Sequence, residues 1–79
     1  MEKQHGAARY WTSFVEDNQS GCSGFQLHCE CFGTKTLVGQ TTYWDVGGCF
    51  VFGTFDGNDV PVEIVLAAIA EAKEKILTA

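Results

Sequence analysis

The feature that most constrains this chain is a change of hydrophobic period at Asp56-Gly57-Asn58. Before it, short runs rich in aromatic and β-branched residues are broken by glycines, and the run Phe25–Cys31 alternates apolar and polar at period two. That is the pattern of strands with one face on a core. After it, apolar residues recur with a helical period. Strands followed by one helix in 79 residues predict a single small α+β domain. The expected order is ββββα, a four-stranded antiparallel meander sheet with one C-terminal helix packed on one face.

The expected strands run over 9–16, 25–31, 36–44 and 49–55. Between the first two, Asp17 to Gly24 collects turn formers and reads as a loop. Gly33-Thr34 suits a two-residue type II′ turn, and Asp45-Val46-Gly47-Gly48 supplies the next reversal. Pro61 and Glu63 mark the helix start, since proline fits a first turn and an acid suits the positive end of the helix dipole. Val62, Val65, Leu66, Ile69, Ala72 and Ile76 form its expected apolar stripe. Residues 1–7 read as a flexible N-terminal segment.

These turns fix a register, and the register sorts side chains onto two faces. The helix-bearing face would carry Phe25, Leu27, Cys29, Cys31, Val38, Trp44, Cys49, Val51 and Phe55. The open face would carry Gln26, His28, Glu30, Phe32, Leu37, Thr41, Tyr43, Phe50 and Phe52. Tyr43, Phe50 and Phe52 would then be neighbours in an exposed aromatic patch, which is how an interaction surface looks.

Charge adds to this expectation. The formal net charge is −5, and between Tyr10 and Ala72 eight acids face one base, Lys35. Such a chain is not built to neutralise phosphates, so direct nucleic-acid binding is not expected. Glu16, Asp17, Glu30, Asp45, Asp56 and Asp59 would form a negative surface steered toward a basic partner. The longest apolar run, Ile64–Ala70, is far short of a membrane span of about 20 residues, and the polar start lacks a signal-peptide core. The expectation is a cytoplasmic protein without membrane contact.

The four cysteines, Cys22, Cys29, Cys31 and Cys49, lack the paired two-to-four-residue spacing of a structural zinc site. Cys29 and Cys31 share one strand face about 6.5 Å apart with parallel side chains, a poor disulfide geometry. They read as small buried hydrophobes, with Cys22 exposed in its loop. A cysteine-centred metal or redox protein is the alternative from another class. Asp56-Gly57-Asn58-Asp59 opens like a calcium loop, but Pro61 and Ala67 occupy positions where the loop needs glycine and a carboxylate. The glycines build no phosphate cradle, and Ser13, Ser20 and Ser23 have no elbow motif beside His5 or His28. Neither an enzyme nor a cofactor is expected.

In length, acidity and fold class the chain resembles the small single-domain inhibitors that phages and mobile elements encode, anti-CRISPR proteins among them. Gly48-Cys49-Phe50 through Gly53, with the Ala- and Glu-rich helix beyond, is also similar to the strand-then-helix half of HicB-type antitoxins. The first resemblance implies a non-catalytic inhibitor; the charge and face readings add the expectation that it occludes a basic, nucleic-acid-binding surface of another protein, using Tyr43, Phe50 and Phe52 with the acids named above. A homodimer through the open sheet face is the competing arrangement, and a HicB-like antitoxin domain the competing family.

Overall fold

The structure is a computed structural model that describes residues 1–17, 22–44, 47–57 and 59–77. Five strands, β1 (Glu2–His5), β2 (Ala8–Asp17), β3 (Cys22–Cys31), β4 (Thr34–Trp44) and β5 (Cys49–Thr54), precede one helix, α1 (Val62–Leu77). The strands form one antiparallel sheet in sequence order, β1-β2-β3-β4-β5. The α+β class and the meander are as the hydrophobic periods require, with five strands rather than four.

The additional strand is β1, inside the segment expected to be a flexible extension. It pairs with β2 from Glu2 opposite Trp11 to His5 opposite Ala8, and no hydrophobic alternation announces it. Its residues, Glu-Lys-Gln-His, are all exposed, so backbone pairing and charge pairs hold it rather than burial. The expected loop is also shorter. β2 continues to Asp17 and β3 begins at Cys22, while residues 18–21 lie outside the described residues. Cys22, expected in that loop, pairs instead with Trp44 on β4 and is half-buried.

The largest correction concerns register. The β3–β4 turn is Phe32-Gly33, with φ of +52° and +81°, and not Gly33-Thr34. Two successive positive φ values are the mark of a type I′ turn, whose twist matches the flanking strands. That shift moves the pairing by two residues and leaves every face unchanged. A bulge does not. Cys29 lies opposite Thr36 and His28 opposite Leu37, but Leu27 lies opposite Gly39, so Val38 is inserted into β4. One extra residue exchanges the faces of everything beyond it. From Gly39 through β5 the inward and outward sets are therefore the reverse of the expected ones.

The core sits between α1 and the middle of the sheet. Tyr10, Leu27, Val38, Ile64 and Ala68 form it, with Met1, Ala8, Cys29, Phe52 and Val60 packed against it. The helix starts where the Pro61 carbonyl accepts the N–H groups of Ile64 and Val65 at 3.0 and 3.1 Å. Its inward row is Ile64, Ala68 and Ala72, flanked by half-buried Val65 and Ile69. The expected stripe was rotated from this, because Val62 and Leu66 are 72% and 60% exposed. Small Ala68 and Ala72 let the helix backbone come close to the sheet, which larger side chains in that row would prevent.

Candidate protein-binding face

Tyr43, Phe50 and Phe52 lie on the helix-bearing side of the sheet. Phe52 lies opposite Thr41 and packs on the core, and the Tyr43 and Phe50 rings meet at 4.8 Å. The Lys73 ammonium of α1 stands 6.0 Å from the Phe50 ring centre. Gly39 makes room for Phe52: a Cβ there would come within 3.0 Å of the ring and 2.9 Å of the Gly53 carbonyl oxygen. The three rings stay together as expected, but on the half-buried face and not the open one.

The residues that take their place on the open face are Trp44, Val51 and Phe55, which are 40%, 50% and 39% exposed. They surround an open groove of about 350 Å³ whose wall includes Gln40 and Thr42 and whose floor includes Gly53. Gln40 Nε2 donates to Thr42 Oγ1 at 3.0 Å, so the two polar residues of the wall pair with each other and the remaining lining is apolar. Phe55 is held in place by its N–H, which donates to the Val38 carbonyl at 3.0 Å beyond the end of β5. Leu37, 37% exposed, projects from the same face opposite His28.

The other half of the open face is polar. His28 stacks on Trp11 with ring centres 5.4 Å apart and planes 13° apart. The Arg9 guanidinium lies 4.8 Å from the Trp11 ring and pairs with Glu2 at 3.1 Å and Glu30 at 3.3 Å. Ser13 Oγ stands 2.8 Å from His28 Nε2. This brings together a hydroxyl and an imidazole that sequence spacing did not connect, since the β2–β3 register alone places Trp11 opposite His28. Ser13 is exposed on a strand, and its contact with His28 is one of two contacts that fix the imidazole on the sheet surface.

Among the described residues the acids do not share one patch. Glu30 pairs with Arg9, which it shares with Glu2. Glu16 lies opposite Ser23, in the row of Tyr43 and Phe50, whereas Asp56 follows the far end of β5, about 20 Å along the strand direction. Asp56, next to Phe55 in the chain, and Asp59 are exposed in the connection to α1. Asp45 and the side chain of Asp17 lie outside the described residues.

Cys22 and Cys49 flank Trp44 on its two neighbouring strands, and Cys29 and Cys31 share β3 on the helix side. All four are free thiols. Among the described residues no three His, Cys, Asp or Glu side chains converge as a metal site would need. Burial, then Cys29 and Cys31, pushes the Tyr10 hydroxyl above its ordinary value. No helix among the described residues is long and apolar enough to cross a membrane.

The class these features define is a small α+β domain, a five-stranded meander backed by one helix, with a half-apolar open face. Searches against family models, curated proteins and solved structures return no match.

Proposed function

We propose that this protein is a small, acidic, non-catalytic binding module that docks on another protein through the β4–β5 end of its open face. The observation that carries the reading is the groove bounded by Trp44, Val51 and Phe55, with exposed Asp56 next to Phe55 in the chain. An apolar centre with charge at its edge matches the anatomy of protein interfaces, where aromatic anchors supply buried area and rim charges supply steering. A net charge of −5 selects a basic partner surface. Such surfaces commonly hold nucleic acid, so the module acts by occlusion, as inhibitors carried by phages and mobile elements do.

The test uses the immobilised protein and a nuclease-treated cell extract, with heparin as a polyanionic competitor. The captured protein is released by heparin and by salt. Trp44→Ser and Phe55→Ser, checked for folding by circular dichroism, each reduce capture at least tenfold. Asp56→Lys with Asp59→Lys weakens capture and flattens its salt dependence. Capture that survives all four substitutions, or that heparin leaves untouched, refutes this reading.

A further inference from the structure

We infer that β5 is a self-association edge, on which a second copy of this chain pairs antiparallel about a twofold axis centred on Phe52. The two outer strands of the sheet are built differently. β1 carries Glu2 and Lys3, charged side chains of the kind by which proteins discourage pairing at a sheet edge. β5, Cys-Phe-Val-Phe-Gly-Thr, carries no charge and no proline, and among the described residues it pairs only with β4. An uncharged edge of this length is a template for another strand.

The hydrogen-bond phase defines what that edge offers. The bond from the Phe55 N–H to the Val38 carbonyl puts odd-numbered residues of β5 in the bonded pairs with β4. Backbone groups alternate along an antiparallel strand, so Phe50, Phe52 and Thr54 aim their N–H and C=O groups at the free edge. Pairing about Phe52 joins Phe52 to its copy and Phe50 to Thr54 of the copy, a run of six backbone hydrogen bonds.

Gly53 selects both the occupant and the register. A Cβ built there meets nothing within 4 Å among the described residues, and its φ lies outside the positive range, so nothing among them calls for glycine. Glycine inside a strand weakens it and marks close approach by a neighbour. In the register centred on Phe52, Val51 of each copy lies opposite Gly53 of the other. These are non-bonded pairs, the closer kind, with Cα atoms about 4.5 Å apart. Each Val51 thus enters the groove over the other copy's Gly53, and one strand supplies both projection and gap. That self-complementarity is what a twofold interface requires. Asp56 of each copy falls opposite Gly48 of the other, so the acids do not face one another. The open faces end up side by side, leaving Trp44 exposed, and the inference does not rest on the function proposed above.

Sedimentation over a wide concentration range tests it. The wild-type chain shows a reversible monomer–dimer equilibrium. Gly53→Val, whose Cβ has space in the monomer, shifts it to monomer by at least tenfold in dissociation constant. The register is read with Phe55→Cys, which stands opposite native Cys49 of the second copy on the open face. Oxidised glutathione takes up two electrons and two protons from the thiol pair, giving a disulfide and two reduced glutathiones. Peptide mapping then finds residue 49 joined to residue 55 across copies, and Phe55→Cys with Cys49→Ser yields no such link. A chain that stays monomeric throughout, a dimer indifferent to Gly53→Val, or cross-links through other cysteines overturns the inference. Thr54→Pro, which removes an edge N–H at a residue outside the groove lining, loses the dimer and keeps the Trp44-dependent capture, and Trp44→Ser does the reverse, so the two proposals fail separately.

Discussion

Two single residues sit in states their own chemistry resists. Phe32 holds a φ of +52° at the tip of the β3–β4 hairpin and is 89% exposed. A bulky side chain in the left-handed region costs about 1–2 kcal/mol, and an exposed ring gains little burial in return. Asparagine is the residue that type I′ turns favour at this place. Phe32→Asn is therefore expected to stabilise the fold by about 1 kcal/mol, read as a rise in the urea midpoint at unchanged slope. Thr41 is 1% exposed, and its hydroxyl has no hydrogen-bond partner among the described residues. Valine keeps its shape and removes the orphaned group. Thr41→Val should add about 1 kcal/mol, since a buried unsatisfied hydroxyl costs that much or more. A loss of stability there would show that a bound water or a ligand satisfies the hydroxyl.

At the scale of elements, the β4 bulge decides the molecule's outer surface. Its consequence is legible by comparing two shifts. The turn at Phe32-Gly33 moves the pairing by two residues and preserves the faces, so Leu27, Cys29 and His28 fall where alternation puts them. Val38 moves it by one, and Tyr43, Trp44, Val51 and Phe52 exchange sides. The only trace in the sequence is the broken alternation at Leu37-Val38-Gly39, where two apolar residues precede a glycine. That trace is weak, because Phe52 folding over Gly39 is a contact between strands and leaves no local signature. β1 was invisible for a different reason: it buries nothing, and period-two reasoning detects only buried faces. The helix and the four longer strands were legible because burial imposes their periods. Deleting Val38 removes the inserted residue, so Leu37 and Gly39 stay opposite His28 and Leu27, and Gln40, Thr42 and Trp44 keep the outward face. The deletion loses the buried Val38 side chain and the carbonyl that accepts the Phe55 N–H. Val38→Ala loses only the side chain, costing about 2 kcal/mol, so the deletion should cost about 1 kcal/mol more. Equal losses in chemical denaturation would mean that the bulge and its hydrogen bond contribute nothing beyond the side chain.

Across the whole molecule, one carboxylate joins the helix to the head of the chain and to the second strand of the sheet. Glu71 on α1 accepts from the Met1 ammonium at the head of the chain and from the Thr12 hydroxyl on β2, and Met1 also donates to Thr12 at 3.2 Å. Burial by itself would raise the Glu71 carboxyl. The hydrogen bonds from the ammonium and Thr12, with the charges of the ammonium and Lys75, outweigh it and hold the group below its ordinary value of 4.5. A depressed carboxyl binds its proton less readily in the folded chain than in the unfolded one. Its stabilisation is therefore complete above the unfolded value and is lost as pH falls through the folded one. The wild-type chain should lose stability on acidification below pH 4.5. Glu71→Gln, which keeps the shape but not the charge, should be less stable at neutral pH and should flatten that acid limb, so that the two proteins converge at low pH. Urea midpoints measured from neutral to acid pH decide it. A constant gap between the two curves would mean that Glu71 acts by packing alone, and that β1 and the helix are held together by something other than this charge.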